Sequence, residues 1–193
     1  SCWQKRCLIM PRIIIIFILL NFYSPTLTSE KKNIISKMKN TNNLSFNFIQ
    51  TINNKIENGT CILEYPRKIY CEYNGANKKI IVSDGKSLIV KTNNNNNYYI
   101  YPLNRTPLQY LLDKEFIISK IQRLEPRVIN EKYLNFKIFE NNNEINIFFD
   151  KKSLNLMGWQ TEDVYKNLSI TSISSVKINQ KIDKRKFKFL QNN

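Results

Sequence analysis

The apolar positions of the chain keep two different spacings, and the change from one to the other divides it. Ile34, Ile35 and Met38 share one face among Lys31, Lys32, Lys37 and Lys39, the stripe of an amphipathic helix over 28–39 with Thr28 or Ser29 as its N-cap. From Leu44 the period is two. Leu44, Phe46 and Phe48 alternate with Ser45 and Asn47, which predicts a strand with one buried face. Further strands are predicted over 60–65 and 68–73 about Pro66, and over 79–83 and 86–91 about Asp84-Gly85, because Asp-Gly between apolar runs is a strong hairpin signal. Residues 98–101 add another strand after the tract Asn93 to Asn97, read as a solvated turn.

The alternation then breaks. Thr106 as cap, Pro107 at the first helical position and apolar residues at 108, 111 and 112 predict a short helix, and Glu115 to Ile121 a second. Strands resume over 124–129, 133–140, 144–149, 153–161 and 168–178, and Phe187 and Phe189 predict a last short edge. About ten strands in consecutive hairpins are too many for a flat sheet, so the sheet must curl. The expected fold is mainly β with α: a curved antiparallel sheet forming an incomplete β-barrel with a lid of two or three helices, as a single domain over 29–193.

The N-terminal segment breaks both patterns. Lys5, Arg6 and Arg12 precede the apolar run Ile13 to Leu20, and Ser24-Pro25-Thr26-Leu27-Thr28-Ser29 follows it, the order of a secretory signal peptide. Ile13 to Tyr23 is too short to span a bilayer as a helix. Residues 1–28 are therefore expected to be a signal peptide cleaved after Thr26 or Thr28, with 1–9 upstream of a start at Met10; a membrane anchor is the alternative. No cysteine lies in 21–36 to accept acyl chains.

Composition removes several chemistries. The 193 residues include no histidine, which excludes His-dependent triads and His-bearing metal sites, so an enzyme is not expected and no cofactor or metal is implied. Asparagine occurs 28 times, read as codon bias of an AT-rich genome. The formal charge of +15 falls to +12 once the three positives of 1–28 are removed. These lysines are scattered, and outside Lys184-Arg185-Lys186, read as a solvated terminal strand, no dense block interleaves with aromatics. Nucleic acid is therefore not an expected partner.

Export changes the meaning of Cys61 and Cys71. They flank Tyr65-Pro66-Arg67, and strands folded back about Pro66 would oppose them across an antiparallel pair, close enough for a disulfide in an oxidising compartment. Two buried free thiols are the alternative reading.

Several segments resemble the family of the outer-membrane lipoprotein carrier protein LolA. They are Leu44-Ser45-Phe46-Asn47-Phe48-Ile49-Gln50, Gly59 through Pro66 leading to Ile69-Tyr70-Cys71-Glu72-Tyr73, and Ile81-Val82-Ser83-Asp84-Gly85-Lys86-Ser87-Leu88. Pro102-Leu103-Asn104-Arg105-Thr106-Pro107-Leu108 and Phe148-Phe149-Asp150 through Gly158-Trp159 and Asp163 keep the same order. The resemblance implies a periplasmic carrier, monomeric, that accepts triacylated lipoproteins from an inner-membrane lipoprotein-releasing ABC transporter and carries their acyl chains towards an outer-membrane acceptor. Its chemistry is binding and release. Another function on the same scaffold, an envelope sensor or interaction module, is the alternative.

Strand alternation in register with that family nominates an acyl-chain wall: Leu44, Phe46, Phe48, Leu63, Ile69, Tyr73, Leu88 and Val90, with Leu108, Leu111, Leu112 and Phe116 on the lid. Each could equally be ordinary core. Where the family often has an arginine before the turn proline, gating the lid, this chain has Tyr65, with Arg67 just after Pro66. Lid gating is therefore assigned to Tyr65 and Arg67. The position of a common cavity-wall tryptophan is Cys71, opposite Cys61. Asp84-Gly85 reads as turn geometry and Trp159 as a packing anchor.

Overall fold

The structure is a computed structural model describing residues 26–76, 78–92, 98–162 and 166–188. The expected leader up to residue 25, the 93–97 tract, Asp163 and Phe189 lie outside the described residues.

Among the described residues every strand belongs to one antiparallel sheet of 11 strands. After helix α1 (Thr26–Lys39), strands β1 (Asn43–Ile52), β2 (Lys55–Glu64), β3 (Lys68–Tyr73), β4 (Ile80–Asp84), β5 (Ser87–Lys91) and β6 (Tyr98–Pro102) form a meander. A helical segment follows: a 3-10 turn (Leu103–Arg105), α2 (Leu108–Leu111) and α3 (Lys114–Arg123). Strands β7 (Arg127–Ile129), β8 (Tyr133–Glu140), β9 (Asn143–Asp150), β10 (Leu156–Glu162) and β11 (Leu168–Ile178) make a second meander.

The strand order β6-β5-β4-β3-β2-β1-β11-β10-β9-β8-β7 puts β1 in the middle and leaves β6 and β7 as unjoined edges. The sheet is therefore an incomplete barrel. Its two edges are also consecutive in the chain, so the segment between β6 and β7 must cross from one side of the sheet to the other. That crossing lays α2 and α3 over the concave face, beside α1. Ile34 of α1 and Ile117 and Ile121 of α3 pack there with Leu134, Phe136, Ile138, Ile145, Ile147 and Phe149 of β8 and β9. A second cluster joins Leu44, Phe46 and Phe48 of β1 to Leu63, Ile69, Leu103 and Leu112.

Local chemistry explains most boundaries. The pairs Asn53/Asn54, Asn130/Glu131 and Asn141/Asn142 all have positive φ and turn the chain at the β1–β2, β7–β8 and β8–β9 hairpins, a conformation asparagine tolerates better than most residues. These asparagines thus carry structural information that a codon-bias reading discards, and the β1–β2 turn at Asn53-Asn54 is the one it hides. Asp84 Oδ1 accepts the N–H groups of Lys86 (2.8 Å) and Ser87 (2.9 Å), so Asp84-Gly85 is a turn. Strand β10 starts at Leu156 rather than 153, because Asp150 Oδ1 accepts Ser153 N–H at 2.6 Å and holds 151–153 in a turn.

Three other expectations are corrected. Helix α1 begins at Thr26, which places Thr28 and Ser29 inside its first turn. Thr106 does not cap α2; its hydroxyl donates to Leu103 O (2.9 Å) and closes the 3-10 turn, while Asp113 caps α3 by accepting Phe116 N–H at 3.0 Å. Lys184–Phe187 is a 3-10 turn, not a strand. Asp183 accepts Arg185 N–H at 3.0 Å and starts that turn, and Phe187 is buried beside β3 and β4.

Candidate functional site

Between the concave face and the helices lies a cavity of about 240 Å³. Its roof is Ile34 and Met38 of α1, Leu108, Leu111 and Leu112, and Ile117 of α3. Its floor is Leu44, Leu63 and Ile69 on one half of the sheet and Ile147, Phe149, Leu156, Trp159, Val176 and Ile178 on the other. Lys37, Asn40, Thr41 and Asn155 supply a polar margin at one end, where Ile178 is 54% exposed. Apart from that margin the lining offers water few hydrogen-bonding partners.

The structure brings together Leu44, Leu63, Ile69, Leu108, Leu111 and Leu112 of the nominated wall, with Tyr65. Phe46 and Phe48 point to the same face but are consumed in packing: Phe46 meets Trp159 edge-on at 6.1 Å, and Phe48 meets Tyr73 at 4.7 Å. Phe116 stacks on Tyr110 at 4.9 Å, outside the cavity lining. Leu88 and Val90 both lie on β5, two strands beyond β3, on the concave side and half-buried. Sequence reasoning did not nominate Ile147, Phe149, Leu156, Val176 or Ile178. Their alternation is as clear as that of β1, but only the pairing of β1 with β11 makes them neighbours of Leu44.

Cys61 and Cys71 oppose each other on β2 and β3 and form a disulfide, with Cα atoms 4.1 Å apart, the close approach of a non-hydrogen-bonded antiparallel pair. Both are buried in the second cluster, on the concave face beside Phe46 and one row along from Leu63 and Ile69 of the floor.

The lid is held at its margins by polar contacts. The Tyr65–Pro66 peptide is cis and Arg67 has positive φ (65°). Arg67 N–H donates to Leu112 O (2.8 Å), and its guanidinium reaches Asp113 Oδ2 from Nη2 (2.8 Å) and Nε (3.3 Å). The β2–β3 turn is thereby tied to the junction of α2 and α3. Lys114 Nζ donates to Lys39 O (3.2 Å) and Thr41 O (3.0 Å), Lys37 Nζ to Ser153 O (2.5 Å), and Lys31 Nζ to Glu125 (2.7 Å). Tyr65 lies under this fastening, and burial pushes its phenol pKa up, so it is a neutral wall residue.

Beyond Phe48 the concave face turns polar. Gln50 donates to Ser169 (3.2 Å) and Thr171 (3.3 Å) and accepts from Tyr73 Oη (2.9 Å), and Glu57 pairs with Lys79. Burial alone would raise the Glu57 pKa, but hydrogen bonds and charges from Lys79 and Lys55 win and lower it. Among the described residues no cluster of acidic or thiol groups could hold a metal ion, and no helix is long and apolar enough to cross a membrane.

The fold thus combines a half-closed sheet, an apolar hollow and a helical lid fastened at its margins. The model of the outer membrane lipoprotein carrier protein LolA family matches residues 39–190, and the chain belongs to that family. No curated protein sequence matches it. Among solved structures it is similar to a LolA superfamily protein from Nitrosomonas europaea, at 11% identity and TM-score 0.44, covering 84% of this chain and 98% of that one. A putative outer membrane lipoprotein-sorting protein domain from Vibrio parahaemolyticus is similar at 6% identity and TM-score 0.45, covering 83% and 94%. MucB is similar at 8% identity and TM-score 0.45, covering 83% of this chain and 62% of MucB.

Proposed function

We propose that the protein is a periplasmic carrier that holds lipoprotein acyl chains beneath its helical lid and shuttles them from the inner to the outer membrane. One observation carries this reading: the hollow beneath the lid is walled by apolar side chains, while the lid is fastened at its rim by hydrogen bonds and ion pairs. A device of that kind opens without dismantling its core. In the form described here the cavity, about 240 Å³, is below the roughly 300–1,000 Å³ of ordinary ligand sites. It is the resting volume, and loading a triacylated cargo requires α2 and α3 to lift from the floor.

The energetics suit a shuttle. Shielding a methylene from water is worth about 0.8 kcal/mol, so ten shielded methylenes supply about 8 kcal/mol, near micromolar affinity before ordering costs. Leu108, Leu111 and Leu112 cover the floor of the empty site, and displacing them offsets part of that gain. Cargo then leaves for an acceptor that binds it more tightly. The proposed partners are triacylated lipoproteins, the inner-membrane transporter that releases them, and an outer-membrane acceptor; no bond is made or broken.

Native mass spectrometry with a synthetic triacylated lipopeptide tests the reading. The expected result is a one-to-one complex with the lipopeptide and none with the unacylated peptide. Failure to take up the lipopeptide overturns the carrier.

A further inference from the structure

We infer that the cavity mouth is a docking surface for an anionic lipid bilayer, carried by a ring of lysines on the rim of the hollow. The ring is assembled from three distant parts of the chain. Asn179 fastens the end of β11 to the α1–β1 turn: its N–H donates to Asn43 O (3.0 Å), its Nδ2 to Asn40 O (2.8 Å), and its Oδ1 accepts Asn42 N–H (2.8 Å). Lys37 fastens the end of α1 to the β9–β10 turn through Ser153 O (2.5 Å) and Asn155 Oδ1 (3.1 Å). These staples bring Lys37 and Lys39 of α1, Lys151 and Lys152 of the turn, and Lys181 just after β11 to one end of the molecule.

The same staples surround the opening of the cavity. Lys37, Asn40, Asn155 and the 54% exposed Ile178 all line it. Eight lysines away from this end, Lys31, Lys55, Lys68, Lys79, Lys120, Lys137, Lys166 and Lys184, each pair with a carboxylate, while others such as Lys78, Lys86 and Lys91 are scattered singly. None of the five rim lysines makes an ion pair with a described carboxylate. Asp150, the acid beside Lys151, is occupied in capping Ser153, whose backbone N–H holds its pKa down.

A cationic ring around an apolar opening matches a leaflet of phosphate headgroups over hydrocarbon. Lysines are drawn to an anionic leaflet when they come within a Debye length of it, about 10 Å at 0.1 M salt. Docking mouth-down would set the hollow against the layer in which acyl chains reside, so this inference rests on the carrier reading and adds where cargo is loaded.

Cosedimentation of the full chain with phosphatidylglycerol–phosphatidylcholine vesicles tests it, with pure phosphatidylcholine vesicles for the uncharged background. The rim variant carries Lys39→Gln, Lys151→Gln, Lys152→Gln and Lys181→Gln; a charge-matched control carries Lys78→Gln, Lys86→Gln, Lys91→Gln and Lys188→Gln. The expected result is partitioning to anionic vesicles that falls at least about tenfold in the rim variant, stays near the parent value in the control, and collapses at 0.5 M salt. Equal loss in both variants, or no preference for anionic vesicles, overturns the proposal; the second result would leave an acidic protein face as the partner of the ring. Lipopeptide uptake in solution is measured on the same variants. Uptake retained with docking lost separates the surface from the cavity, and docking retained without uptake overturns the carrier while leaving the surface in place.

Discussion

Arg67 and Asp113 meet in an ion pair of 2.8 Å that is half exposed on the arginine side, so its worth is limited to about 0.2–1 kcal/mol. Asp113 also caps α3, and Asn retains capping ability. The Asp113→Asn variant is therefore expected to leave the melting temperature nearly unchanged while speeding release of a bound acylated probe about twofold to fivefold, read by stopped-flow fluorescence. Leu112 is 1% exposed and sits in the roof; Leu112→Ala is expected to cost about 2–4 kcal/mol in urea unfolding. Sequence alternation was enough to nominate Leu44, Leu63 and Ile69 for the wall. It could not separate them from Phe46 and Phe48, because all five have the same inward phase and only the ring contacts with Trp159 and Tyr73 decide which are already occupied.

At the scale of single elements, two features are stiff by construction. The Cys61–Cys71 disulfide closes a loop of sequence separation 10 within the β2–β3 hairpin, and its reduction is expected to lower unfolding free energy by about 2–3 kcal/mol, checked by denaturation with and without reductant. Gly158 has φ of 147° at the irregularity where β10 shifts register against β9, and a Cβ there would run into Thr171 O. Gly158→Ala is expected to destabilise the β10–β11 pairing, seen as faster amide exchange in both strands. The Pro66 and Asp84-Gly85 hairpins were legible because their turn residues act locally. The β1–β2 hairpin was not read, because its Asn53-Asn54 turn is disguised by a composition full of asparagine.

Acid and base set the limits of the whole molecule. Glu57, Glu64, Asp84, Glu144 and Asp150 all have depressed pKa values, and hydrogen bonds from Arg185 hold Asp183 down to about 2. Depressed acids bind protons less readily when folded, so their stabilisation is present above the ordinary carboxylate range near 4 and lost as pH falls through the folded values. Tyr70 is pushed up to about 12 by burial and by Glu72, and Tyr73 is raised by burial and by Glu57. Raised phenols stabilise below about 10 and lose that contribution as pH climbs towards their folded values. With no histidine, stability is expected to be flat from about pH 6 to 8 and to fall on both sides, measured by thermal melts across pH. By itself the sequence determined the kinds and succession of elements and the need for the sheet to curl, since periodicity, caps and turn residues act over a few positions. Tertiary structure alone decided that β1 pairs with β11, that β6 and β7 stay apart, and that residues of both halves of the sheet line one hollow beneath the helices. The physical reason is that an unfilled space is a property of side chains absent from a place, and that place is defined only when elements distant in the chain meet around it.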